Sequence, residues 1–261
     1  MMNSQQPNTQ LVRCDRPIAH VARLTLNRPA ASNAYNAVMV AELEACLSWC
    51  EQQPDIRTVI LTGSGTVFCG GADLQEAFTD GGKGLMNSHG GYNPLQHLPR
   101  RKIWIAALNG HAFGGGLELA LECDFIIAAQ QVKIALPEVK HGLLPLGGAI
   151  GQLATRLPAS VAREMLLIGE PMDAQRALAL GLFYQLAEAE ELMESALALA
   201  ARLNRNAPLA VQACNALLRE TLAEDLRQRS AEELQQLQSS LDYQEGLHAF
   251  AERRAPQWRG K

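Results

Sequence analysis

With 261 residues, 48% of them apolar and 19% charged, the chain is long enough for one large globular body with a substantial core. Twenty-three basic against 27 acidic residues leave a formal charge of −4, which argues against the basic excess of a dedicated nucleic-acid surface. Aromatics are only 5%, so aliphatic side chains and alanine must do most of the packing.

In chain order, the first ten residues, MMNSQQPNTQ, are polar and lack the basic and apolar sequence of a signal peptide. HVARLTL (20–26) alternates as a strand and stops at the turn NRP. NAVMVAELEACLSWCEQ (36–52) has helical apolar spacing, with Asn36 as N-cap. TVILTG (58–63) is a short buried strand, and VFCGGADLQEAF leads from a strand through glycines into a helix. WIAALNG (104–110) is another strand and turn, HAFGGGLELALEC a helix begun by glycines, and DFIIAAQ a strand. From about 159 the pattern turns helical, with SVAREMLLIG, DAQRALALG, 189–203, 208–223 and 230–252. Gly169 and Gly181 sit where helices should end. An α/β body followed by a helical tail is expected, with the boundary near residue 200.

Segment 79–95, TDGGKGLMNSHGGYNPL, is polar and glycine-rich, and reads as a mobile lid or a disordered loop. The most apolar region, 103–129, is broken by Asn109, His111, Glu118, Glu122 and Asp124, as suits a buried core and not a membrane span. Six cysteines (Cys14, Cys46, Cys50, Cys69, Cys123, Cys214) form no CxxC pair and mostly have apolar neighbours, which points to reduced thiols in a cytoplasmic protein. Cys46 and Cys50 share a predicted helix, but no histidine follows at zinc spacing, so no metal site is expected.

The chemistry concentrates in two glycine turns and two acids. In CGGADL and AFGGGLEL a glycine run opens a helix, whose first N–H groups lack internal acceptors. Two such ends meeting at one point would bind an oxyanion. Neither turn matches a nucleotide loop, since GHAFGGG has no GK[ST] and GSGTVFCGG lacks the GxGxxG setting. Glu118 lies in the first turn after the second glycine run, with Glu122 one turn on, and Glu138 follows Pro137 between apolar and glycine-rich stretches. A carboxyl buried there without a partner has its pKa raised toward the working pH, which suits proton transfer. One of Glu118 and Glu122 could instead pair with an arginine across an interface, and Glu138 could simply open a helix.

LNRPAASNAYN (26–36), VFCGGADL (67–74), NGHAFGGGLELALECD (109–124), ALPEVKHGLLPLGG (135–148) and the tail EGLHAFAERRAPQWRGK (245–261) resemble, in order and spacing, the crotonase or enoyl-CoA hydratase/isomerase superfamily. The GGGLELAL helix and the tail look most like its carnitinyl-CoA dehydratase branch. The resemblance implies a crotonase-like α/β spiral of repeated ββα units over 11–200. It also implies a C-terminal helical region over 201–261 that assembles a homotrimer or a hexamer. By family position it makes Glu118 and Glu138 the catalytic acids and the N–H groups of Ala72 and Gly115 the oxyanion hole. Arg28, Ala34, Asp73, Leu74, Gly114, Pro145 and Gly148 are then the substrate and CoA contacts. Arg100, Arg101, Lys102, Arg253 and Arg254 are further candidates for the CoA phosphates. The implied activity is hydration of an enoyl-CoA, with coenzyme A entering as part of the substrate and no separate cofactor, nucleic acid or membrane partner. A Δ3,Δ2-enoyl-CoA isomerase and a non-catalytic RNA-binding relative are the alternatives. The chain departs from the family at Leu146, Gly147 and Ala149, where the usual PxAGG is shifted, and at Gln152, near a common arginine. Both changes touch the acyl pocket, and a bulky or branched enoyl group such as isohexenylglutaconyl-CoA is compatible with them.

Overall fold

A computed structural model describes residues 6–77, 82–220, 235 and 238–257. A hairpin of β1 (Val12–Ile18) and β2 (Val21–Leu26) precedes helix α1 (Ala37–Gln52). Three strand pairs follow: β3 (Thr58–Gly63) and β4 (Val67–Cys69) with α2 (Leu74–Ala77), then β5 (Ile103–Leu108) and β6 (His111–Phe113) with α3 (Gly115–Leu121). The third is β7 (Phe125–Ala129) and β8 (Lys133–Ala135), with a 3-10 turn, Pro137–His141, in the helix's place. Next come α4 (Ala149–Arg156), α5 (Ala159–Arg163), β9 (Met172–Asp173), α6 (Ala174–Ala179) and β10 (Gln185–Ala187). The chain continues through α7 (Leu192–Asn204), α8 (Pro208–Glu220) and α9 (Leu241–Ala251).

The strands divide between two sheets, of order β1-β2-β3-β5-β7-β10 and β4-β6-β8-β9. The first strand of each pair joins the larger sheet and the second joins the smaller. β3, β5 and β7 lie parallel in one sheet while β4, β6 and β8 lie parallel in the other. Each ββα unit therefore advances both sheets by one strand, which winds the chain into a spiral.

The larger sheet is buried on both faces, which is why its strands read as continuous apolar runs. Val59, Leu61, Trp104, Ala106 and Leu108 enter the main core. The alternate residues Ile60, Ile105, Ala107 and Ile127 form a second cluster under Leu192, Ala196, Leu199 and Ala200 of α7. Asn36 caps α1 as expected, its side chain accepting from the Met39 N–H at 3.0 Å. At the other end the Lys102 ammonium donates to the Cys50 and Gln53 carbonyls, the favourable place for a cation on the helix dipole.

Gly169 and Gly181 lie just past helix ends at φ +68° and +77°. The predicted helix over HAFGGGLELALEC is shorter than expected, because HAF is a strand held between β4 and β8. The helix predicted over SVAREMLLIG (160–169) is α5 followed by a wider π turn, Glu164–Ile168. Within the helical stretches read at 208–223 and 230–252, residues 221–223, 230–234, 236 and 237 lie outside the described residues. Among the described residues no helix is long and apolar enough to cross a membrane.

Candidate active site

The two glycine turns meet. After β4, Gly71 takes φ +107°, a left-handed conformation that glycine adopts without strain. Ala72 then forms an isolated parallel bridge with Tyr35. The bridge uses Tyr35 N–H to Gly71 O and Asp73 N–H to Tyr35 O, both 2.9 Å, so the Ala72 N–H faces away from Tyr35. After β6, Gly114 takes φ +53° and caps α3. Gly115 is the first helical residue, and its N–H has no acceptor within the helix. A methyl on Gly71 would lie 3.3 Å from the Gly115 nitrogen, so Ala72 and Gly115 present their amides from adjoining turns.

Both acids sit beside these turns. Glu118 on α3 is 4% exposed, and its Oε1 accepts from the Ala149 N–H at 3.1 Å. Burial pushes its carboxyl well above the usual range and the neighbouring Glu138 pushes it further, while the Ala149 and Gly147 amides partly oppose the shift. Glu138 opens the 3-10 turn after β8, with Pro137 at its start. One oxygen, Oε1, would lie 3.0 Å from a methyl on Gly114. The other, Oε2, is buried with no hydrogen-bond partner among the described residues. Burial raises the Glu138 carboxyl to about 7. Glu118 and Glu138 thus flank one glycine turn, and neither has a cationic partner among the ion pairs of the described residues.

Gly147 closes the far wall of this space. A methyl there would fall 2.5 Å from Glu118 Oε2 and 2.9 Å from Asn93 Cβ. Gly147→Ala is therefore expected to displace the Glu118 carboxylate and lower turnover at least tenfold, roughly the cost of misplacing one catalytic group. Steady-state kinetics beside a thermal melt checks this: turnover should fall much further than stability.

Other residues expected at the site divide into two groups. Arg28, Ala34 and Asp73 converge: Arg28 pairs with Asp73 at 2.6 Å and donates to the Ala34 carbonyl at 3.1 Å. Leu74 starts α2 beside them. Gly148, at φ +108°, caps α4, and Pro145 is buried in the approach to it. Arg100 and Lys102 do not fit the role of phosphate cations. Arg100 forms a buried ion pair with Glu122 at 2.5 Å and also donates to the Glu122 carbonyl, and Lys102 is spent on the end of α1. Glu122 is accordingly the helix acid that pairs with arginine, and Glu118 is the one left without a cation. Arg254 pairs with Glu245 and Glu252, while Arg101 and Arg253 are exposed.

Residues 82–95 are not a loose flap. Buried Asn87, Asn93 and Gln96 knit this loop to itself: Asn87 donates to the carbonyls of Asn93 (3.0 Å) and Gln96 (2.6 Å), and the Leu95 N–H donates to Asn93 Oδ1 at 3.0 Å. Gln96 also donates to the Leu146 carbonyl at 3.1 Å, tying the loop to the wall beside Glu118. Residues 79–81 of the expected lid lie outside the described residues. Sequence reasoning also missed Asn33 and Tyr35. Asn33, fully buried at φ +53°, bonds Arg28 N, Ser64 O and Val67 O, and so fixes the turn that carries Arg28, Ala34 and Tyr35. An asparagine and a tyrosine inside the small-residue run AASNAYN were the available signal.

The α/β spiral is the fold expected from the resemblance, and comparison with known proteins places the chain in a class of enzymes acting on CoA thioesters. The family model described as "Enoyl-CoA hydratase/isomerase" matches residues 17–261, and the chain belongs to that family. It is 38% identical to the carnitinyl-CoA dehydratase of Proteus mirabilis over 250 residues, covering 92% of this chain and 95% of that one. It is 32% identical to the mevalonyl-coenzyme A hydratase of Aspergillus fumigatus over 271 residues, covering 99% and 98%. The crystal structure of a carnitinyl-CoA hydratase from Mycobacterium avium superposes with a TM-score of 0.89 at 37% identity, over 97% of this chain and all of that one.

Proposed function

We propose that the protein is an enoyl-CoA hydratase, adding water across the 2,3 double bond of an enoyl-CoA thioester to give a 3-hydroxyacyl-CoA. The observation that carries this reading is the pair of buried carboxylates, Glu118 and Glu138, on either side of the Gly114–Gly115 turn. The Ala72 and Gly115 amides would hold the thioester oxygen, which makes C3 electrophilic and stabilises the enolate-like transition state. Glu118 takes a proton from water as its oxygen bonds to C3, and Glu138 delivers a proton to C2. The charge of one carboxylate disfavours ionisation of the other, and the singly protonated pair is the working form in both directions. The Ala149 amide bonded to Glu118 favours its charged state, as a base requires. Activation comes from the thioester and the amides, so the reaction calls for no cofactor beyond the coenzyme A of the substrate.

The relatives named for carnitinyl-CoA and mevalonyl-CoA support a short, branched or polar acyl group for this chain too. Incubation with crotonyl-CoA and a panel of branched and polar 2-enoyl-CoA esters tests the reading. Loss of the enoyl absorbance with formation of a 3-hydroxyacyl-CoA is expected. Double-bond migration in 3-enoyl esters without hydration would assign the protein to isomerase chemistry instead.

We also infer a homotrimer, alone or paired as a hexamer, in the cytoplasm. Leu209, Leu217 and Leu218 on α8 and Leu241 on α9 are exposed at 56–77%, a cost that a subunit interface would remove. Six free cysteines suit a reducing compartment. Sedimentation equilibrium should give three or six chains, and a monomer at micromolar concentration would rule the assembly out.

A further inference from the structure

We propose that Tyr35 is a further substrate-contacting residue, whose phenolic hydroxyl donates a hydrogen bond to the oxygen on C3 that the two carboxylates add or remove. This rests on the hydratase reading above.

Tyr35 is 2% exposed and lies in the main core among mostly aliphatic neighbours. A phenol buried there should have a good hydrogen-bond partner. Among the described residues its hydroxyl has one, the Tyr92 carbonyl at 3.3 Å, which is long for an O–H donor. The proton is therefore free to turn to a better acceptor.

The position of the hydroxyl says which acceptor. A methyl on Gly115 would run into the Tyr35 hydroxyl, with the ring carbons Cζ and Cε1 at 2.9 and 3.0 Å. The phenol thus rests on the side-chain face of Gly115. On the preceding residue, the same construction at Gly114 meets Glu138 Oε1 at 3.0 Å. Glu118, three residues on along α3, projects from the same helix face as Gly115. Phenol and carboxylates therefore surround one glycine turn from its side-chain side, whereas the Gly115 amide leaves along the helix axis. A group so placed reaches the oxygen that the carboxylates handle, and not the thioester oxygen.

The backbone adds precision. Tyr35 N–H and C=O clamp Gly71 and Asp73 on either side of Ala72, so the phenol is registered to the oxyanion turn by two hydrogen bonds. Burial raises the phenol well above its usual range, and Glu118 and Glu138 raise it further, so it stays protonated and acts as a donor, not a base.

Tyr35→Phe keeps the ring and removes only the oxygen. Calorimetric titration of wild type and this variant with 3-hydroxybutyryl-CoA and with butyryl-CoA isolates the contact. The wild type should prefer the hydroxy ester, and the variant should lose about three- to tenfold of that preference, the worth of one neutral hydrogen bond, while binding butyryl-CoA as before. An equal preference in both proteins overturns the proposal. So does equal weakening of both esters, which would mark a merely structural role. Wild type that binds both esters but hydrates no enoyl ester sinks the hydratase reading alone, and the titration still decides on Tyr35. Wild type that binds neither ester overturns both.

Discussion

Glu138→Gln is expected to lower hydration by about 10²–10⁴-fold, the usual worth of a positioned general acid–base group, while the affinity for CoA esters persists. The substitution is nearly isosteric, and among the described residues it breaks no hydrogen bond of Oε2, which has none. Its second signature is a pH profile. Burial raises both carboxyls, Glu138 to about 7, so well below pH 7 the pair carries two protons and has no base. Wild-type kcat/KM should therefore climb about tenfold per pH unit toward pH 7 and level off as one proton leaves. In the variant Glu118 titrates alone without the charge of Glu138, so the limb should move to lower pH.

Stability should move the other way. A carboxyl raised from 4.5 to about 7 on folding binds its proton more tightly in the folded state. Its contribution is complete at low pH and is lost as pH rises through 7, on the order of 3 kcal/mol. Glutamine has nothing to ionise, so the variant should match wild type near pH 4 and exceed its thermal midpoint at pH 8. A variant of wild-type activity, or one with the wild-type slope of stability against pH, would remove Glu138 from the chemistry.

Much of this was legible in the sequence because it is local. Asn36 with apolar residues at helical spacing marks α1, and TVILTG marks a strand covered on both faces. Glycine before Glu118 and proline before Glu138 mark two acids in unusual settings. The spiral itself came from resemblance, since β6 and β8 have three residues each, too few to show alternation. What could not be read depends on distant partners. Lys102 looks like a surface cation until the end of α1, some fifty residues earlier, is brought to its ammonium. Arg100 looks the same until Glu122 is brought beside it. Asn87 and Asn93 read as part of a polar lid because their hydrogen bonds to backbone are invisible in composition. Tyr35 lies eighty residues from the glycine it covers, and no local pattern encodes that contact.

Gly116→Ala should cost both the fold and the site. Gly116 follows Gly115, the proposed amide donor, and its Cα packs on the end of β4. A methyl there would press on the Cys69 carbonyl oxygen, 2.7 Å from the carbonyl carbon and 3.0 Å from Cys69 Cβ. Backbone is what it meets, and no rotamer change relieves that. α3 must instead move off β4, which costs about 1–3 kcal/mol as an overpacked core position. That movement also opens the distance between the turn holding Ala72 and the one holding Gly115. Losing alignment of one amide donor should reduce kcat/KM by about a hundred- to a thousandfold. Gly181→Ala supplies the contrast. Its methyl meets nothing within 4 Å, but φ +77° strains an L-residue by about 1–2 kcal/mol. Thermal melts should therefore show comparable losses for the two variants, while only Gly116→Ala loses turnover. If Gly116→Ala kept wild-type kcat/KM despite its lower midpoint, close contact between α3 and β4 would not be what aligns the two amides.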